Sequence, residues 1–198
     1  MIPNREMSET KTIPHGAPVA PPPLYSAAYP LDHFYAARGL PLPVMDPIEP
    51  DQIPEPYRRL LAHDRDMTSR LEAFHQRKIH IRAYARHYDG LEYFRQVVLE
   101  LDGSLKPVEF GASKTNLYFF PALAREEIRR ELRPLGGILR DFGIAFSSRP
   151  AAYFRVVADA AILGALHLSG APPLFGRRNT LLDAEERPIA EVVEILPP

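Results

Sequence analysis

The segment EYFRQVVLEL, residues 92–101, places an arginine among apolar residues. Alternate side chains of a β-strand point to the same face, so Arg95 shares a face with Tyr93, Val97 and Leu99. A guanidinium on an apolar face costs several kcal/mol unless an anion or hydrogen-bond acceptors receive it. One interpretation is a structural ion pair, or an arginine whose head reaches water. The other is a pocket in which Arg95 binds a ligand carboxylate through its bidentate fork.

Two more arginines and two glutamates lie near the end of the chain, in FGRRNTL and PIAEVVEIL. Neighbouring strand residues point to opposite faces, so only one of Arg177 and Arg178 can face the core, and Glu191 and Glu194 lie on different faces. A glutamate beside an arginine is either its ion-pair partner or, in a cavity, a proton donor or acceptor with a tunable pKa. Arginine and glutamate on neighbouring hairpins suit a small anionic substrate.

Several other chemistries have no signature in this sequence. There is no GxSxG, no GxGxxG after a strand, no Walker loop and no HExxH. The chain has no cysteine, and its seven histidines show no ligand spacing, so we expect no metal site. A net charge of −1 supplies no broad cationic field, which argues against nucleic acid as a partner. Without a signal peptide or membrane span, we expect a soluble cytoplasmic protein.

The elements that must position these residues are strands joined by hairpins, with helices between them. KIHIRAYAR, EYFRQVVLEL and KPVEFGASKTNLYFF predict three adjacent antiparallel strands, with a turn at Asp102-Gly103. AAYFRVVA predicts another strand, and LFGRRNTLLD and PIAEVVEILPP predict a second hairpin. Helical spacing indicates a helix pair before residue 77, helices within residues 121–142 on an apolar stripe of Leu123, Ile128 and Leu132, and one in DAAILGALHL. This order predicts an α+β fold with an antiparallel sheet.

Proline sets the first part of the chain apart. Residues 1–56 contain 13 of the 22 prolines, which cannot sustain a helix or a central strand. We therefore expect residues 1–56 to form an extended or disordered arm and residues 57–198 to form a single domain. Apolar residues of the arm, among them Phe34 and Tyr35, can still pack along the surface of the domain or of a partner subunit.

Five motifs in register resemble chorismate lyase over about residues 58–198. They are Leu60-Leu61 with Asp66-Met67-Thr68, the strand YFRQVVLELDG, RPLGGIL, LFGRRNTL and RPIAEVVEILP. The resemblance implies an antiparallel sheet with helices packed on one side and an internal ligand pocket closed by helical flaps. It also implies an enzyme without a cofactor that eliminates pyruvate from chorismate and leaves 4-hydroxybenzoate, a precursor of ubiquinone and of some phenolic lipids.

The resemblance also implies roles for individual residues. Arg95 matches the arginine that binds the ring carboxylate, while Met67 and Leu135, with its neighbour Gly136, match the pocket lining. Because chorismate is a dianion, Arg177 or Arg178 is expected to bind its second carboxylate, with Arg155 as a reserve candidate.

The catalytic glutamate of the family does not transfer directly. When Pro188 and Pro197 are aligned with the family's prolines, its position falls on Val193. Glu191 lies two residues earlier on the same face, about 6.5 Å along the strand. Glu194 is adjacent but on the opposite face, unless a β-bulge turns it inward. Either glutamate is a candidate to move the ring proton or to bind the hydroxyl.

The main functional hypothesis from the sequence is therefore a lyase that uses chorismate to make 4-hydroxybenzoate or a related hydroxybenzoate. One alternative is a ligand-sensing domain, because effector domains of some bacterial transcription regulators resemble the lyase fold. Such sensors normally follow a DNA-binding helical module, and the proline-rich residues 1–56 argue against that arrangement. Another alternative is a carrier that binds hydroxybenzoate without turnover.

Overall fold

A computed structural model of the protein describes residues 26–198. One antiparallel sheet of seven strands dominates the structure, in the order β1-β5-β6-β7-β4-β3-β2. The strands are β1 (Val44–Pro47), β2 (Ile79–Asp89), β3 (Glu92–Leu101), β4 (Pro107–Asn116), β5 (Ser147–Val157), β6 (Leu174–Leu182) and β7 (Pro188–Leu196). Both predicted hairpins and the antiparallel pairing of β2, β3 and β4 are confirmed.

Six α-helices accompany the sheet within the described residues, which confirms the predicted α+β class. They are α1 (Leu31–Ala37), α2 (Tyr57–Leu61), α3 (Met67–His75), α4 (Ala122–Arg130), α5 (Leu135–Asp141) and α6 (Ala160–Ala165). The predicted helix pair before residue 77 corresponds to α2 and α3. Short 3₁₀ segments occupy Pro50–Gln52 and Leu117–Phe119. In residues 26–198, no helix has the length and apolar character required to cross a bilayer.

The two faces of the sheet carry separate apolar clusters because alternate strand residues point in opposite directions. On one face, Phe94 and Val98 pack with Leu31 of α1 and Ile162 of α6. On the other face, Val97 packs with α2 and α3, and α4 and α5 lie beside them in a further cluster. This second face also carries Arg95 and is called the Arg95 face below.

The structure differs from the predicted arm over residues 26–56, which belong to the domain. α1 buries Leu31, Phe34 and Tyr35 against the sheet, and β1 pairs with β5 at the sheet edge. The prolines are tolerated because Pro30 directly precedes α1 and Pro47 ends an edge strand, where a missing N–H is tolerated. Residues 1–25 of the predicted arm lie outside the described residues.

The hairpin between β3 and β4 fixes which residues meet on the Arg95 face. Its turn contains Gly103 at φ +78°, a left-handed conformation that favours glycine. Across this hairpin Arg95 pairs with Ser113, and on the next strand Gly111 pairs with Glu194. The pairing of β4 with β7 contains no register shift, so Glu194 shares the face of Arg95 without a bulge.

Gly176 lies in β6 where the neighbouring strands leave no room for a side chain. A Cβ atom there would lie 2.5 Å from Phe154 Cε2 and 2.5 Å from the main-chain oxygen of Glu194. We expect Gly176→Ala to lower the free energy of unfolding by about 1–3 kcal/mol, because the added methyl overpacks the sheet. Urea denaturation measures this change.

Gly164 in α6 is the matched control, since within residues 26–198 a Cβ there would meet no atom outside its own helix backbone within 4 Å. Gly164→Ala should raise the free energy of unfolding by about 0.5–1 kcal/mol through helix propensity. Equal effects of the two substitutions would contradict the assigned packing.

Candidate functional site

A cavity lies on the Arg95 face, between the sheet and the first residues of α3 and α5. It encloses about 590 Å³ free of protein atoms, including the part that opens to solvent. Apolar side chains supply much of the lining: Met67, Ile81, Val97, Leu99, Leu135, Leu181 and Val192. Polar side chains also line it: Asp66, Thr68, Arg95, Glu109, Ser113, Asn179 and Glu194.

The floor of the cavity consists of rows of residues that cross the central strands. The first row is Arg95, Ser113, Val192 and Asn179, and the second is Val97, Gly111 and Glu194. Arg177 continues the second row on β6 but does not line the cavity. Glu109 lies in a third row, opposite Leu99. Successive rows are two residues apart along a strand, or about 6.8 Å. Because Gly111 has no side chain, the Glu109 carboxylate can approach it, and a Cβ there would lie 3.1 Å from Glu109 Oε1.

Among the described residues, buried Arg95 forms no ion pair. Its side chain is 3% exposed, and Nε and Nη1 have no hydrogen-bond partner within residues 26–198. Burial lowers the pKa of Arg95, and the nearby Tyr93 and Glu131 partly offset that effect. The Glu131 carboxylate accepts hydrogen bonds from the Tyr93 hydroxyl and from Arg86 Nη1. A guanidinium with unused donors therefore faces the cavity.

Arg177 is equally buried but fully engaged by its own chain. It is 0% exposed, and its Nε donates to Glu194 Oε2 at 2.5 Å. Nη1 donates to the main-chain oxygens of Leu61 at 2.9 Å and His63 at 2.8 Å, and Nη2 donates to that of Arg65 at 3.4 Å. Arg177 thus ties the connection between α2 and α3 to the sheet, which is a structural role.

Two glutamates reach the cavity beside Arg177. Glu194 is held as an ion pair by Arg177, whereas Glu109 Oε2 has no hydrogen-bond partner among the described residues. Burial raises the pKa of Glu109 well above its ordinary value, the charge of Glu194 raises it further, and Arg177 opposes the shift. This pair can therefore place a proton-bearing carboxyl next to an ionised one.

The remaining charged candidates lie away from the cavity lining. Glu191 is on the opposite face, where its Oε2 accepts from Arg178 Nη2 at 3.3 Å and from the Thr180 hydroxyl at 2.9 Å. Arg155 is near the sheet edge, half-exposed, and its Nη2 lies 2.9 Å from Asp46 Oδ2. Glu191, Arg178 and Arg155 are thus not brought together with Arg95.

The helix residues expected at the site do line the cavity. Met67 begins α3, whose N-cap Asp66 accepts a hydrogen bond from the main-chain N–H of Ser69 at 2.8 Å. Leu135 and Gly136 begin α5. A Cβ on Gly136 would lie 2.6 Å from Asp66 Oδ1, so glycine permits this close approach of α3 and α5.

Sequence reasoning missed the contribution of β4. Glu109, Gly111 and Ser113 alternate along PVEFGAS, and all three line the cavity together with Asn179. The signal was present, because the Asp-Gly turn sets the register that places these three residues beside β3 on the Arg95 face. In residues 26–198, no group of three or more His, Asp or Glu side chains is arranged to hold a metal ion.

Comparison with known proteins establishes the fold. No family model matches the chain, and no curated protein matches its sequence. The structure is similar to the effector domain of PhnF from Mycobacterium smegmatis, with a TM-score of 0.53 and 16% identity, covering 76% of this chain and 91% of that chain. It is also similar to PhnF from Mycobacterium smegmatis, with a TM-score of 0.51 and 15% identity, covering 86% of this chain and 94% of that chain. Effector domains of this kind share the chorismate lyase-like fold, so the resemblance to chorismate lyase seen in the sequence holds at the level of the fold.

The two buried arginines should respond oppositely to replacement by methionine. Arg95→Met should raise the free energy of unfolding by about 1–3 kcal/mol, because it removes an unsatisfied buried cation. Arg177→Met should lower that free energy by about 3–5 kcal/mol, because it leaves Glu194 buried and uncompensated. Urea denaturation of both variants without added ligand gives the comparison, and destabilisation by Arg95→Met would show that the chain itself satisfies this guanidinium.

Glu109 should make the protein less stable as the pH rises. Its pKa is raised in the folded state, so the folded protein binds the extra proton between the unfolded pKa near 4.5 and the folded pKa. Stability from this group is complete below the unfolded pKa and declines above it. Relative to the wild type, Glu109→Gln should gain up to about 1.4 kcal/mol per pH unit in this window. Urea midpoints at pH 5, 6, 7 and 8 measure the difference, and a pH-independent difference would contradict the shift.

Proposed function

We propose that the protein binds a small aromatic monocarboxylate, of the hydroxybenzoate type, in the cavity without converting it. The observation that carries this proposal is the buried guanidinium of Arg95, which lines an apolar cavity with Nε and Nη1 unpaired among the described residues. Buried polar groups in folded proteins nearly always have partners, so an unpaired cation in a cavity indicates an anionic ligand.

The lining suits the rest of such a ligand. Ser113, directly across from Arg95, has a buried hydroxyl without a hydrogen-bond partner in residues 26–198, so it can bind the same carboxylate. Met67, Val97 and Leu135 supply apolar surface for a ring. The similarity to the effector domain of PhnF supports a binding role over a catalytic one.

Pyruvate elimination from chorismate is the second candidate function. The carboxyl pair of Glu109 and Glu194 favours it, because a carboxyl that retains its proton beside an ionised one can act in proton transfer. The charge of chorismate opposes it. A dianion needs a second cation, yet Arg177 is engaged by Glu194 and three main-chain oxygens, and Arg178 and Arg155 are absent from the cavity lining.

Arg95→Ala should weaken the binding of benzoate and 4-hydroxybenzoate by at least about 100-fold, because the ligand carboxylate loses its charge-assisted hydrogen bonds. Isothermal titration calorimetry of the whole chain measures both affinities. Arg149→Ala is the control, since Arg149 is exposed on β5 and paired with Glu186. It should bind both ligands within about twofold of the wild type, and equal losses in the two variants would contradict the role of Arg95.

Incubation with chorismate separates the two candidate functions. We expect the protein to bind benzoate and to release no pyruvate from chorismate above the uncatalysed rate. A coupled lactate dehydrogenase assay measures the pyruvate. Pyruvate release that disappears in Arg95→Ala would instead establish the lyase.

A further inference from the structure

Glu109 is a second buried charged group of the cavity, on the strand next to that of Arg95. It is 4% exposed, it lines the cavity, and its Oε2 has no hydrogen-bond partner within the described residues. On β4 it lies four residues from Ser113, which pairs directly with Arg95. A Cβ on Gly111, midway between them on β4, would lie 3.1 Å from Glu109 Oε1, so the Glu109 carboxyl reaches the row of Gly111, about 6.8 Å along the strand from the row of Arg95 and Ser113. A ligand whose carboxylate binds Arg95 therefore extends towards Glu109.

The charges around Glu109 favour its protonated form, in which Glu109 itself can donate a hydrogen bond to a ligand. Glu194 on β7 and Arg177 on β6 form an ion pair that is already balanced, which leaves Glu109 as the additional carboxyl. His63 lies beside Arg177, and burial together with that cation lowers its pKa to about 4, so it adds no positive charge at neutral pH. Burial and the charge of Glu194 raise the pKa of Glu109. A carboxyl that keeps its proton donates a hydrogen bond.

The other charged group at the cavity is occupied elsewhere. Asp66, at the start of α3, accepts hydrogen bonds from Ser69 and lies 3.1 Å from Arg140 Nη1. Of the carboxyl groups that line the cavity, Glu109 differs from Asp66 and Glu194 in two ways within residues 26–198. Its Oε2 has no hydrogen-bond partner, and it forms no ion pair.

We propose that Glu109 determines the specificity of the cavity by donating a hydrogen bond to an uncharged oxygen at the end of the ligand remote from its carboxylate. This inference rests on the proposed function and narrows its ligand class. The site takes singly charged aromatic acids with a carbonyl or hydroxyl oxygen across the ring. It rejects 1,4-dicarboxylates, because a second carboxylate would lie against Glu109 and the ionised Glu194.

Matched ligands test this inference in calorimetric titrations at pH 7. 4-Acetylbenzoate and 4-isopropylbenzoate have the same shape, but only the first carries an acceptor oxygen. The wild type should bind 4-acetylbenzoate at least about tenfold tighter than 4-isopropylbenzoate, as expected for a hydrogen bond to a buried partner. It should bind terephthalate at least about tenfold more weakly than benzoate.

Two variants assign the effect to Glu109. Glu109→Leu should lose the preference for the acetyl ligand and bind 4-acetylbenzoate and 4-isopropylbenzoate within about twofold of each other. Glu109→Gln should keep the preference, because its amide also donates a hydrogen bond. If Glu109→Leu does not fold, Glu109→Gln and the wild-type ligand pair still provide the test.

The outcomes separate this inference from the proposed function. Equal binding of the acetyl and isopropyl ligands by a wild type that binds benzoate overturns the role of Glu109 alone. The role of Glu109 is also overturned if Glu109→Leu still prefers 4-acetylbenzoate over 4-isopropylbenzoate. A wild type that does not bind benzoate overturns the proposed function, and this inference with it.

Discussion

The energetics of the site depend on a guanidinium that residues 26–198 bury without forming an ion pair with it. Arg95 and Arg177 lie on the same face of neighbouring hairpins and are equally shielded from water, yet their surroundings differ. Arg177 has a carboxylate and three main-chain oxygens, whereas Arg95 has two nitrogens without partners among the described residues. A buried cation without acceptors is costly in the empty protein, and an incoming anion can recover that cost.

The antiparallel sheet brings together residues that are distant in the chain. Arg95, Glu109 and Glu194 come from three adjacent strands, and their common face follows from continuous alternation across β3, β4 and β7. Gly111 leaves room for the Glu109 carboxylate, because a Cβ there would lie 3.1 Å from Glu109 Oε1 and 2.8 Å from the main-chain oxygen of Val193. The cavity therefore depends on strand register, and a one-residue slip would turn its polar groups to the opposite face.

Alternation predicted the strands well, because a half-buried strand has period two whatever its partners are. It also separated Glu191 from Glu194, but alignment on the flanking prolines placed the family glutamate at Val193, which packs on the face opposite Arg95. Alternation divides the residues of a strand between two faces, but only the pairing with neighbouring strands shows which of those faces carries Arg95. α1 was missed because its seven residues are stabilised by burial of Leu31, Phe34 and Tyr35, and not by local signals. The apolar stripe predicted for residues 121–142 was right only at Ile128: Leu123 and Leu132 are exposed, and α4 buries Ala124 with Ile128.

The charge balance of the cavity connects its stability to its choice of ligand. Glu194 and Arg177 cancel, and burial raises the pKa of Glu109, so while Glu109 holds its proton Arg95 leaves the lining with about one unit of positive charge. A monoanion neutralises that charge, while a dianion leaves an excess negative charge in a space with little water. Ligand binding must also stabilise the fold, because it favours the folded state by RT ln(1 + [L]/Kd). The residue that destabilises the empty protein is therefore the same residue that makes its stability respond to an aromatic acid.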